Sequence, residues 1–408
     1  MSTSAPARHA APTGVGEDAD LALLTGAESV EIVRAALVGE GEAPQHLRVA
    51  VSAVHHRPGA GVSVCYDVTH AAAPEGEVLV ASTAPVARSD RTAAVAVLDD
   101  GVRTLRVWRR ADDPALPGLR SALDPRVVAT WLGRAELPAL RVLSYRPTRR
   151  AVVVADLLDA TFYLKIVRPR RSAELIERHE ALQGSMLPAP AMLGEAQPGV
   201  VLLAAAPGRS LAQALASGDA AQVPAPEQVL AALDSLPAPV IELPLRPSWV
   251  DRLDFHTAAA SSALPARADE IDDVARRVAD VLATVPVAAV VPTHGDLNVA
   301  NLFVQDARPA AVIDVDSLGP GRRADDLATL LAHLQVLPAL APHIYTEVPA
   351  VVHRWYAAFA ASVGQTELDA RTAAVLVSLV AGASPEQANA RLDLALAALE
   401  RADPRQQS

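Results

Sequence analysis

Apolar and polar positions alternate along five stretches near the start of the chain, at 47–54, 61–68, 77–83, 92–98 and 102–109. That period of two predicts half-buried strands. Turn-forming clusters separate them, namely Pro58-Gly59, Pro74-Glu75-Gly76 and Asp99-Asp100-Gly101, the last being the clearest hairpin signal. Ahead of these strands the spacing over 28–38 predicts a short helix, and residues 1–20, small, polar and proline-bearing, read as a disordered tail. A proline-rich connection at 112–138, with a helix predicted over 125–134 behind Pro125, leads to a second strand group at 140–145, 151–157 and 161–167. A helical stretch at 172–184 follows, closed by Gly184, and then two more apolar runs ending at 199–206. The order is β-β-β-α-β-β.

Beyond Pro207 the period changes to that of helices. Amphipathic segments are predicted at about 225–236, 248–262, 267–284, 325–336, 349–362, 366–380 and 385–402. One interruption, 290–328, holds two short apolar strands with polar residues at their ends. No solenoid-type repeat is visible. The length of 408 residues allows two or three domains, and 51% hydrophobic against 20% charged residues supplies a large core. A formal charge of -11 argues against an electrostatic nucleic-acid binder. Cys65 is the one cysteine, which excludes an internal disulfide framework and a cysteine-rich zinc site. No apolar run reaches the ~18 residues that span a bilayer. The first twenty residues lack a signal-peptide core, so a cytoplasmic protein without a membrane partner is expected.

Two residue types change the picture. The 36 basic residues comprise 35 arginines and one lysine, Lys165. A lysine surviving such a bias marks either chance or a position where a compact ammonium is needed and a planar guanidinium will not serve. Asparagine occurs three times, and Asn298 and Asn301 lie together beside His294-Gly295-Asp296.

Thirteen residues after Asn301 comes Asp314-Val315-Asp316. A strand, a turn and a second strand between them predict a hairpin whose polar ends share one side. An amide and one or two carboxylates then converge, hard oxygen donors suited to Mg²⁺ with substrate phosphates. Asp296 is left to orient or deprotonate a hydroxyl, the division of labour that phosphoryl transfer needs. Asp314-Val315-Asp316 alone would also fit the metal motif of a nucleotide-sugar glycosyltransferase, but that reading leaves Asn301, His-Gly-Asp and Lys165 unexplained. His294 has no second histidine at a spacing that completes a metal site, and reads as a structural residue bonding the loop backbone.

The segments HGDLNVANLF, VIDVDSLG and ADDLA resemble the catalytic and metal loops of the aminoglycoside phosphotransferase/choline kinase family, relatives of the protein kinases. The usual pattern there is His-Gly-Asp-Leu-His-x-x-Asn, then Ile-Asp-x-Asp, then Asp-Leu-Ala. One departure is Asn298, which stands in place of the second histidine. The resemblance implies that Asp296 is the catalytic aspartate, that Asn301 and Asp314 ligate Mg²⁺ with help from Asp316, and that Asp326 braces the loop. It also implies that Lys165 binds the nucleotide phosphates, positioned by a carboxylate of the next helix. Glu180 is favoured over Glu174 and Glu177 for that role. The turn 146–150 occupies the place of the phosphate-covering loop, without glycine, and Arg149 would add charge there. The adenine hinge falls on 202–206, with Leu203, Ala204 and Ala206 contributing main-chain groups.

The fold expected is α+β: a bilobal protein-kinase-like fold, with a small β-rich lobe and a large helical lobe, preceded by a small α+β module. The corresponding divisions are a tail at 1–20, a cap-like module at 21–112, the small lobe with its linker at 113–206 and the helical lobe at 207–408. The function expected is transfer of the γ-phosphate of ATP, or another nucleoside triphosphate, to a hydroxyl of a sugar, amino sugar, aminoglycoside or amino alcohol. The competing reading is a non-catalytic nucleotide binder of the same fold. Candidate acceptor contacts are Trp249, Asp251, Asp254, His256, Trp355 and Tyr356.

Overall fold

The computed structural model describes residues 15–41, 44–56, 59–86 and 95–402. The chain divides into two compact units, one comprising residues 1–172 with 193–203 and the other 173–192 with 204–408.

The first unit contains two five-stranded antiparallel sheets. Strands β1 (Arg48–His56), β2 (Val62–His70), β3 (Ala73–Ser82), β4 (Ala96–Asp99) and β5 (Thr104–Arg109) form one sheet in the order β1-β2-β3-β5-β4. Helices α1 (Val15–Thr25) and α2 (Ser29–Gly39) cover one face, where Leu24, Val33 and Leu37 meet Val62, Val64, Tyr66 and Val68 at every second position of β2. The opposite face buries Cys65, Val80 and Trp108. Both faces of β2 are therefore covered, and its burial is nearly continuous. Residues 15–20 correct the expected tail: they open α1, where Glu17 accepts the amides of Gly59 and Gly61 at 3.0 and 2.9 Å. Residues 1–14 lie outside the described residues, as does the 92–94 part of the fourth expected strand. The Pro74-Glu75-Gly76 cluster lies inside β3 instead of forming a turn. The Asp100-Gly101 hairpin forms as expected, with Asp99 facing Thr104.

The second sheet has the order β6-β7-β8-β10-β9, from β6 (Ala139–Arg146), β7 (Arg150–Asp156), β8 (Thr161–Val167), β9 (Met192–Gln197) and β10 (Val200–Ala204). The 112–138 segment is more than a connection. Its helices α3 (Leu119–Ala122) and α4 (Pro125–Trp131) bury Leu119, Ala122 and Val128 against Val153, Leu164, Ile166 and Leu202. Asp124 caps α4 by accepting the Arg126 amide at 2.8 Å, and Pro125 follows at the first position, where its missing N–H costs nothing.

The second unit is mainly helical. It takes in α5 (Ser172–Ala181), apart from Ser172 itself, and then α6 (Leu211–Ala216), α7 (Pro226–Asp234), α8 (Leu253–Ala263), α9 (Ala268–Thr284), α10 (Arg323–Leu340), α11 (Val348–Val363), α12 (Gln365–Ser378) and α13 (Pro385–Ala402). Each helix predicted after Pro207 is present. Helix α10 is buried on nearly every side, and with α12 and α13 it packs a core that includes Ala332, Val336, Leu376 and Leu392. Two small sheets interrupt the helices. Strand β11 (Arg209–Ser210) pairs with β13 (Leu302–Gln305), which pairs with β14 (Arg308–Val312); β12 (Val291–Thr293) pairs with β15 (Gly319–Gly321). Among the described residues no helix is long and apolar enough to cross a membrane.

Candidate active site

The expected hairpin is β13–β14. Leu302 faces Val312, and Asp306 and Ala307 turn the chain with φ of 50° and 55°, the mirror-image turn that suits strand twist. Past the last pair, the Ile313 amide donates to the Asn301 carbonyl at 2.9 Å. Asn301 and Asp314 are thereby brought to one end of the hairpin. Asp314 adopts a left-handed backbone, φ 57° and ψ 51°, which starts a single 3₁₀ turn over Val315–Ser317 that contains Asp316.

The loop before β13 is tied at several points. Asp326, fully buried near the start of α10, accepts the amides of His294 at 2.9 Å and Gly295 at 2.8 Å. Burial pushes its carboxyl pKa up, while the electrostatic influence of His294 and Arg323 and these two amides oppose the rise. The His294 ring spans the loop. Its Nδ1 accepts the Asp296 amide at 3.3 Å, which assigns the proton to Nε2, the donor to the Ile313 carbonyl at 2.9 Å. His294 thus joins the Asp296 loop to the Asp314 strand, the structural role expected for it.

Asn301 is buried, and its Nδ2 donates to the Asp296 carbonyl at 2.9 Å. Its Oδ1, a hard donor, has no partner among the described residues. Asn298, the departure from the family pattern, accepts the Ala300 amide at 2.9 Å and supports the loop as an Asx turn. Among the described residues no three His, Cys, Asp or Glu side chains gather as a metal cluster. An amide and a carboxylate, completed by water and phosphate oxygens, is nonetheless the type of donor set magnesium takes, so Asn301 and Asp314 fit that ion.

Glycine is required at two places here. Gly295 has φ 78°, and a Cβ on it would lie 2.4 Å from the Ser317 carbonyl oxygen. Gly208 has φ 76°, and a Cβ there would lie 2.2 Å from the Val304 carbonyl oxygen, because the chain leaving 203–207 runs directly onto β13.

Of the expected site residues, Asp296, Asn301, Asp314, Asp316, Glu180, Ala204 and Ala206 belong to the second unit, and Lys165, Arg149 and Leu203 to the first. Lys165 is 6% exposed in β8, between fully buried Leu164 and Ile166. Arg149 is exposed in the β6–β7 turn, where its amide donates to the Arg146 carbonyl at 3.0 Å. The chain passes from one unit to the other between Leu203 and Ala204, and the Ala204 amide donates to the Ala191 carbonyl at 2.8 Å. On α5, Glu180 and Glu177 are exposed, whereas Glu174 is held by Arg178 and Arg246. Trp355 is fully buried against Phe359 and is a core residue, which removes it as an acceptor contact.

Sequence reasoning missed Arg178. It is 1% exposed and its guanidinium donates to the Leu318 and Pro244 carbonyls, each at 3.0 Å, pinning α5 to the segment after Asp316. Among 35 arginines nothing in spacing distinguishes it.

Residues 148–345 match the model of the phosphotransferase enzyme family. The matched span takes in the Asp296 loop, the β13–β14 hairpin and α10, so the resemblance read from the three motifs is borne out. No curated protein matches significantly. Solved structures that resemble the chain include a thermostable mutant of aminoglycoside phosphotransferase APH(4)-Ia in ternary complex with ADP and hygromycin B, at 13% identity, 68% of this chain, 98% of that one and TM-score 0.48. Another is the ADP-bound aminoglycoside phosphotransferase APH(2'')-Ib, at 14% identity, 69% and 99% coverage and TM-score 0.44. A choline/ethanolamine kinase family protein from Mesorhizobium loti has 15% identity, 71% and 94% coverage and TM-score 0.46.

Proposed function

We propose that the protein transfers the γ-phosphate of ATP to a hydroxyl of a small molecule, with Mg²⁺ as the accompanying ion. The observation that carries this reading is the joining of the Asp296 loop to the Asp314 strand through His294, Asn301 and Asp326. In this reading it sets a hydroxyl-orienting carboxylate beside a pair of hard oxygen donors. In this reading the kinase-like part begins near residue 113, with its small lobe to about 206 and its helical lobe beyond.

Asp296 orients the acceptor hydroxyl and takes up its proton as the oxygen attacks. General-base help of this type contributes about 10²–10⁴-fold, so positioning and charge neutralisation supply the larger share. Asn301 and Asp314, assisted by Asp316, would hold magnesium, which when bound neutralises phosphate charge. Lys165 contributes a point charge to the nucleotide phosphates, with Glu180 as its proposed carboxylate partner and Arg149 adding charge from the β6–β7 turn. The main chain of Leu203, Ala204 and Ala206 is proposed to meet the adenine.

The test is ATP consumption by the full chain against sugars, amino sugars, aminoglycosides and amino alcohols, repeated with Asp296→Ala. Acceptor-dependent ADP release that vanishes in the variant, with nucleotide binding kept, is expected. Tight Mg·ATP binding without turnover of any acceptor would instead identify a non-catalytic nucleotide binder.

A further inference from the structure

A cavity of about 320 Å³ lies within the helical unit, at the lower end of small-ligand sites. One wall is apolar, from Val250, Leu282, Val285 and Val290. The polar lining is three arginines, Arg246, Arg322 and Arg371, against three carboxylates, Asp251, Asp325 and Glu367. At the floor, buried Arg371 bonds Glu367 at 2.9 Å and Asp325 at 2.7 Å.

The hydrogen-bonding capacity left over is mixed in sign. The Arg322 guanidinium, half-buried just before α10, makes no hydrogen bond or ion pair among the described residues, and the buried Arg246 Nε likewise has no partner. On the acceptor side, Asp251 uses Oδ2 for the Ser248 amide and hydroxyl, at 2.8 and 2.9 Å, and Asp325 uses Oδ1 for Arg371. The remaining oxygens of Asp251 and Asp325 have no partner among the described residues. Unengaged donors and unengaged acceptors thus line one cavity whose charges balance, with an apolar wall beside them.

The cavity is joined to the proposed catalytic loop. Asp325 precedes Asp326, which holds the His294 and Gly295 amides. Gly321 at the rim pairs with Val291, five residues before Asp296, a span of at most about 17 Å even when fully extended.

We infer that this cavity is the acceptor subsite and that it selects an uncharged, hydroxyl-rich molecule, a sugar or polyol, over a polycation. A hydroxyl both donates and accepts, so neighbouring hydroxyls satisfy Asp251 and Arg322 together, while carbon faces of the ring rest on the valines. A molecule bearing several ammonium groups supplies donors alone, so it would answer the open carboxylate oxygens and leave the donors of Arg322 and Arg246 unanswered beside its own charge. The inference rests on the kinase reading, but its test separates the two.

Binding of glucose, maltose, sorbitol and kanamycin to the full chain is measured by calorimetry without nucleotide, and turnover is measured with ATP. The neutral compounds that bind or react should exceed kanamycin by about 10-fold or more. Asp251→Asn and Arg322→Gln should each raise the acceptor KM or Kd about 10-fold, with the ATP KM and the melting temperature unchanged. A preference for kanamycin, no binding of any neutral compound, or neutral-compound binding that both variants leave untouched overturns the inference. Neutral-compound binding that the variants weaken, in a protein that never releases ADP, keeps the cavity assignment and sinks the kinase reading alone.

Discussion

The carboxylate of Asp113 accepts the Thr148 amide at 2.7 Å, and Thr148 holds a left-handed backbone at φ 58°. Asp113 is 1% exposed and also accepts the Tyr145 hydroxyl at 2.7 Å and the Ala115 amide at 2.9 Å. Tyr145 in turn accepts Trp108 Nε1 at 3.2 Å. A residue between the two sheets of the first unit therefore fixes the shape of the β6–β7 turn that carries Arg149. Arg168 completes the clamp by donating to the Thr148 carbonyl at 2.6 Å. Asp113→Ala removes the acceptor for three donors and leaves a non-glycine residue in a strained conformation. Urea titration is expected to find a loss of about 2–4 kcal/mol, and the Thr148 amide should exchange hydrogen far faster. Unchanged protection at Thr148 would show that the turn holds its shape without Asp113.

Gly295→Ala is expected to be costly for two independent reasons. The left-handed φ penalises any Cβ, and the Ser317 carbonyl occupies the place where it would go. A loss above about 2 kcal/mol is expected in chemical denaturation, with phosphoryl transfer falling more than nucleotide binding, because the loop must leave Asp326. Asp326→Asn offers the milder comparison. It keeps the volume but sets an NH₂ against one of two backbone N–H donors, at a cost of about 1–3 kcal/mol.

Lys165→Arg tests whether the single lysine is there by need. The side chain is 6% exposed on β8, the central strand of the five-stranded second sheet, with Val152 opposite it on β7. A broad fork in place of a slender ammonium forces repacking, at about 1–3 kcal/mol. Nucleotide affinity is expected to fall at least 10-fold in calorimetry. Equal affinity would mean that the lysine survived by chance.

How far the sequence foretold this arrangement depended on the range of the interactions. Alternation and helical spacing are local, and they placed the strands of both five-stranded sheets and α7 to α13, but not the six-residue α6. The β13–β14 hairpin and its polar ends were legible because a short turn dictates register. Long-range partners were not. Nothing local joins Asp113 to Thr148, 35 residues on, or Arg178 to Leu318, 140 residues on. The proline-rich 112–138 segment read as a connection because its helices are too short to display a period, although its leucines complete the core over the second sheet. Pro74-Glu75-Gly76 misled for the opposite reason: β3 runs through these turn residues, which sit at a break in register between the Val68–Glu77 and His70–Ala73 pairs.

His333 on α10 gives the folded protein a specific sensitivity to acid. It is half-buried, and desolvation together with the positive charge of Arg391 pulls its pKa from the ordinary 6.5 down to about 4. The unfolded chain thus takes up this proton first as pH falls. Stability from this group is complete above about pH 6.5 and is lost as pH falls toward 4, by at most about 3 kcal/mol in total and about 2 kcal/mol by pH 5. The neighbouring carboxylates Asp325 and Asp326 act in the other direction. Burial raises their pKa values, so the folded state accepts their protons more readily than the unfolded chain does, and acid relieves a cost. Comparing the wild type with His333→Gln cancels that background. Urea melts at pH 7 and pH 5 should show the wild type losing up to about 2 kcal/mol more than the variant over this interval. Parallel losses in the two proteins would mean that the His333 imidazole is free to take its proton in the folded state.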